Sequence, residues 1–164
     1  MSICEINKKS WELAIQTMMI KGKKKVECAS KGKLREIYEK TQSGTNYIPQ
    51  IEELINSYSP PENLKEEEKV FKKFGNRLLS EIRGMSQKDV KQLMQYILWN
   101  TAIIENAVEP NDSVDRFREN IMRGISAEGI TDNDFIRKLN EMLENNLLTV
   151  MRRRENQFPG YKKG

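Results

Sequence analysis

Apolar residues recur three and four positions apart along most of this chain, a spacing that predicts helices. Trp11, Ile15, Met18 and Met19 share one face of a first helix over about Lys8 to Ile20, which Gly22 ends. Residues 26–29 fit either a continued helix or a short extended piece. Ser30 is placed to cap a helix holding Leu34, Ile37 and Tyr38 and closing near Gly44. Asn46 and Pro49 open another, striped by Ile48, Ile51, Leu54, Ile55 and Tyr58, and Ser59-Pro60-Pro61 is the clearest break.

Two long helices follow. The first runs about Glu62 to Arg83, with Leu64, Phe71, Phe74, Leu78 and Ile82 as its stripe and an acidic start suited to the helix dipole. Gly75 weakens it or allows close packing, and Gly84 stops it. Ser86 to Asp89 forms a variant capping box before a helix carrying Val90, Leu93, Met94, Ile97, Leu98 and Ala102, with Trp99 at the stripe's edge. The short connection favours an antiparallel hairpin. The last third reads as a short helix near Ser113–Arg123 and a longer one from Phe135 to Val150, capped by Thr131 to Asp134. There is no internal repeat and no convincing strand. The expected fold is all-α: a compact bundle of about six or seven helices. Residues 1–155 form one helical domain, divisible into sub-lobes 1–108 and 111–155, and residues 156–164 are a flexible basic tail.

Composition narrows the chemistry. The chain has no histidine and two cysteines, Cys4 and Cys28, so imidazole catalysis and His-containing metal sites are excluded. Lys21 to Lys25 and Ser30 to Lys33 superficially suggest a phosphate loop, but Glu27 stands where the first glycine belongs and Leu34 where Ser or Thr belongs. Glu27 has no second acid nearby in sequence for a metal-assisted nuclease. Cys28, beside lysines, is expected to have a lowered thiol pKa, yet without a histidine partner it suits a packing edge better than a nucleophile. No enzyme activity, cofactor, metal or small-molecule substrate is expected. The charged start is unlike a signal peptide, no apolar run approaches a spanning helix, and a cytoplasmic, membrane-free setting follows as the expectation.

Charge is the strongest remaining signal. Residues 21–35 hold Lys21, Lys23, Lys24, Lys25, Lys31, Lys33 and Arg35 against Glu27 alone, a local +6. Arg152, Arg153 and Arg154 open a second basic block, although three cations at a helix C-terminus also suit the helix dipole. Between Glu105 and Asp134 the balance is −5. These ten cations are the candidate nucleic-acid contacts, gripping phosphates without reading bases, with Tyr38, Tyr47, Phe158 and Tyr161 near enough in sequence to stack. The leading expectation is a non-enzymatic helical nucleic-acid-binding subunit, for RNA in preference to DNA, working among other protein subunits of a ribonucleoprotein or nucleoprotein assembly. The alternative is a helical protein–protein adaptor or inhibitor docking a host protein through the acidic region. A helix-turn-helix regulator ranks last, because its recognition helix would begin Asp132-Asn-Asp134 and repel phosphate.

Two segments resemble a known family. Ser30-Lys-Gly-Lys-Leu-Arg-Glu-Ile-Tyr38, and Leu78-Leu-Ser-Glu-Ile82 leading into Asp89-Val-Lys-Gln-Leu-Met-Gln-Tyr-Ile-Leu-Trp99, are similar to helices of the small helical subunits of type III CRISPR effector complexes. The resemblance spans residues 30–104. It implies a non-catalytic subunit lining a ribonucleoprotein filament, with Lys33 and Arg35 contacting guide–target RNA. The family's central arginine-containing turn is not recognisable here, and residues 107–164 have no counterpart.

Overall fold

A computed structural model describes residues 1–21, 25–42, 44, 46–107 and 114–145, the side chains of residues 20, 21, 25 and 114 excepted. Seven α-helices dominate these residues: α1 (Ile3–Gln16), α2 (Lys31–Thr41), α3 (Tyr47–Asn56), α4 (Lys65–Ile82), α5 (Gln87–Asn106), α6 (Val114–Ala127) and α7 (Asn133–Leu143). A 3₁₀ turn, Glu62–Leu64, leads into α4. Among the described residues no helix is long and apolar enough to cross a membrane. Arg152, Arg153 and Arg154, the tail, and the last part of the final predicted helix lie outside the described residues.

The all-α class holds with one correction: two short strands, β1 (Met18–Lys21) and β2 (Lys25–Cys28), pair antiparallel with Met18 opposite Cys28 and Lys21 opposite Lys25. The helical stripe running on to Met18 and Met19 is a coincidence of spacing. The backbone N–H of Thr17 closes α1 on Ala14 and its hydroxyl donates to the same carbonyl. Successive strand residues then point to opposite faces, which puts Met18 in one hydrophobic cluster and Met19 in another. Both methionines are buried, so the alternation of a half-exposed strand never shows in the sequence.

Those two clusters meet on α1. Ile6 and Leu13 belong to the first, with α2, α3, α4 and the first half of α5. Trp11, Ala14 and Ile15 belong to the second, with the hairpin residues Val26 and Cys28, the end of α5, and α6 and α7. The final helices therefore share their core with the amino-terminal helix. A small polar seam crosses the α1–α5 contact: buried Asn100 donates to the hydroxyl of Ser10 at 2.8 Å and to Oδ1 of Asn7 at 3.4 Å. The Asn100 amide N–H groups are satisfied there, while its buried Oδ1 has no hydrogen-bond partner among the described residues. The directional bonds favour one register between helices that apolar contacts alone would let slide.

Two caps follow the sequence. Ser86 Oγ accepts from the N–H of Asp89, and Asp132 accepts from the N–H groups of Asp134 and Phe135. Ser30 departs from it. Ser30 stands at the N-cap of α2 in the left-handed region, φ 55°, and its side chain caps nothing. Its hydroxyl instead lies 2.9 Å from Tyr58 Oη, and its N–H donates to Glu67 at 2.8 Å.

Candidate nucleic-acid interface

Helices α2 and α5 run antiparallel, tied along their length. Lys31 pairs with Glu105 at one end. Gln95 donates to Tyr38 Oη at 2.9 Å in the middle, and Gln87 donates to the carbonyls of Thr41 and Gly44 at the other end. Positions 31, 35, 38 and 42 form one stripe of α2, because residues three and four apart share a helix face. That stripe and Leu98, Thr101 and Ala102 of α5 line a groove of about 560 Å³. Arg35 is exposed there and enters no ion pair among the described residues.

The groove continues past Tyr38 and Leu98 into a second cavity of about 710 Å³, lined also by Gln95, Tyr96, Trp99 and Glu128. Trp99 is 67% exposed, an unusual position for the side chain with the most apolar surface to bury. It also borders a third cavity of about 550 Å³ with Ala102, Ile103, Asn106, Ala107 and Asn120, between α5 and α6. Asn120 donates to the carbonyl of Ala107 at 2.9 Å and holds α6 beside that groove.

The candidate contacts separate accordingly. Lys31 and Arg35 are brought together. Lys33 lies off the stripe and pairs with Glu36 at 3.2 Å. The backbones of Lys21 and Lys25 face each other at the far end of the hairpin, three residues or roughly 10 Å from Cys28. Cys28 itself rests on α5, its N–H on Glu105 and its thiol on the carbonyl of Thr101. The lysine-rich hairpin is thus rooted at the Lys31 end of the groove. Lys23, Lys24, Phe158 and Tyr161 lie outside the described residues. Among the stacking candidates Tyr38 lines the groove, whereas Tyr47 is buried in the first cluster and presents no face.

Trp99 is the residue the charge argument missed. A signal was present: it falls off the Val90–Leu93–Met94–Ile97 stripe, which places a tryptophan toward solvent. The expected reactive thiol is corrected as well. Burial pushes the Cys28 pKa up to about 12, outweighing Lys31, because a thiolate there would lose its hydration. Near neutral pH Cys28 is an inert thiol.

Several acids of the final third have partners within the fold. Lys8 pairs with Asp132 at 3.1 Å, Arg118 with Asp115 at 3.6 Å, and Arg137 with Asp134 at 3.8 Å. Glu128 accepts the indole N–H of Trp11 at 2.6 Å. Burial raises the Glu128 pKa above the ordinary carboxylate range, against the opposing hydrogen bonds of Trp11 and Asn7. The folded state therefore holds this proton more tightly than the unfolded chain does. That contribution to stability is complete below the ordinary glutamate value, about 4.3, and is lost as pH rises through the higher folded value. Glu81 has the opposite slope: the Lys9 hydrogen bond lowers its pKa, and its contribution disappears as pH falls. Glu128→Gln is neutral at every pH and keeps an acceptor for the indole. Its stability relative to the natural chain is expected to improve as pH rises from about 4 to about 7. Urea melts at the two pH values measure this, and a constant difference rejects it.

No family model matches the chain, and the comparisons with curated proteins and with solved structures also found no match.

Proposed function

We propose that this chain is a non-enzymatic, helical nucleic-acid-binding subunit of a larger ribonucleoprotein or nucleoprotein assembly, holding the phosphate backbone through its amino-terminal basic region. The observation that carries this reading is the direction of α2. Lys31 and Arg35 share the face that lines the α2–α5 groove, and the lysine hairpin is rooted at the same end. The ion pairs of Lys31 and Lys33 do not oppose it strongly. Both lysine side chains reach solvent, 53% and 35% exposed, although the Glu105 carboxylate paired with Lys31 is only 17% exposed. The exposed Lys33–Glu36 pair contributes about 0–1 kcal/mol, and a phosphate can share Lys31 from its solvent side. The resemblance of residues 30–104 to small helical subunits of type III CRISPR effector complexes favours the same class. On that reading Arg35 carries the contact, while Lys33 lies off the groove.

The test is fluorescence anisotropy with labelled RNA across a salt series. Affinity is expected to fall steeply with salt, and replacing Lys31 and Arg35 together by alanine is expected to make the log–log slope shallower by about one to two. Absence of binding at about 50 mM salt, or affinity indifferent to salt, rejects the proposal.

A protein-docking reading has one observation of its own. The α5–α6 groove beside Trp99 is lined, among the described residues, by alanine, isoleucine and asparagine, with no cation. Purified chain free of nucleic acid after low-salt isolation favours that alternative.

A further inference from the structure

We propose that the α2–α5 groove receives a single strand rather than a duplex, with a base stacked on the exposed indole of Trp99 and its neighbouring phosphates toward Arg35 and Lys31. The inference rests on the nucleic-acid reading and specifies its ligand. Two features of the site point to it.

The first is the joining of aromatic and cationic surface. Tyr38 and Leu98 line both the groove holding Lys31 and Arg35 and the cavity holding Trp99. A ligand following this path meets cations and an exposed π face in succession. Bases in a duplex are already stacked on one another, so only an unpaired strand offers a face to an indole. The second is the low charge of the groove. Lys31 is shared with Glu105, and Glu39 lines the groove one turn beyond Arg35. Phosphate attraction along the groove is concentrated at the Lys31–Arg35 end, and stacking on Trp99 adds to it only when bases are free. Glu128 borders the Trp99 cavity and disfavours a phosphate there, which leaves that position to a base.

The tryptophans make the test selective. Trp11 is fully buried and Trp99 is 67% exposed, so ligand-dependent quenching of indole fluorescence reports Trp99. The full chain is titrated with an oligouridine of about 15 nucleotides, an oligothymidine of equal length, and a duplex of that length. The expected results are quenching by the single strands and weaker binding of the duplex. Trp99→Ala is expected to weaken single-strand binding roughly 5- to 150-fold, the range for one lost stacked base. Trp99→Phe should recover part of it, with the salt slope unchanged in both variants. Because Trp99 is exposed, both should melt like the natural chain.

Unaltered single-strand affinity in Trp99→Ala, with steep salt dependence retained, overturns the stacking inference and leaves the phosphate-binding reading standing. Equal affinity for the duplex overturns single-strand selectivity in the same way. Failure of all three probes to bind at about 50 mM salt overturns both readings.

Discussion

Replacing Trp11 by alanine is expected to lower unfolding stability by about 3–5 kcal/mol, the range for removing a large buried aromatic side chain. Trp11 is fully buried and stands on the central helix, where it meets the cluster shared by the hairpin, α5, α6 and α7. Truncation opens a void that several elements would have to close together, and a close-packed interior relaxes only partly. It also removes the donor held by Glu128 at 2.6 Å. Domains are typically stable by about 5–15 kcal/mol, so the variant loses a large share of the total stability. Urea denaturation followed by circular dichroism measures the loss. Trp11→Phe separates the two causes: it keeps most of the ring volume and loses the N–H, so its loss should be clearly smaller. A Trp11→Ala loss below about 1 kcal/mol would mean that the second cluster does not depend on α1 as described.

Alanine at position 75 should also destabilise the chain, although alanine is the better helix former. Gly75 lies inside α4, where Gly→Ala ordinarily gains up to about 1 kcal/mol. A Cβ built there falls 2.6 Å from Cγ2 of Ile55 and 2.8 Å from two further atoms of that side chain. Ile55 is itself buried on α3 and β-branched, so it has little rotamer freedom with which to retreat. Overpacking of this kind costs about 1–3 kcal/mol, which exceeds the propensity gain. Gly32, in the first turn of α2, is the control: nothing lies within 4 Å of its Cβ position, and Gly32→Ala should stabilise modestly, by up to about 1 kcal/mol, through the unfolded chain's lost freedom. Thermal melts of the pair are expected to shift in opposite directions. A stabilised Gly75→Ala variant would show that α3 and α4 are not in the close contact described, whereas partial rescue by Ile55→Val would locate the clash.

These two glycines show how far local reading reaches. Residue 75 was legible as either a weak point in a helix or a place of close approach. The partner that decides between them, Ile55, lies on another helix twenty residues away. Trp99 is similar. Its angular offset from the α5 stripe was visible, but its value depends on Tyr38 and Arg35 arriving from α2 to form a shared groove. The basic block read as one patch in sequence. Helical geometry divides it, sending Lys31 and Arg35 one way and Lys33 another. Tyr47, near the same charges in sequence, is taken by the first hydrophobic cluster.

The amino-acid order alone determined the helical class, most helix positions, the Ser86 and Asp132 caps, and the break at Pro60-Pro61. These depend on periodicity, side-chain hydrogen bonding to nearby backbone and the rigidity of proline, all of which act within a few residues. The folded structure decided the rest: Met18 and Met19 in a hairpin between two clusters, Cys28 as a buried thiol, and Glu105 set against Lys31. Each depends on which distant segment supplies the opposing surface, and hydrophobic burial has no direction of its own with which to write that choice into the local pattern.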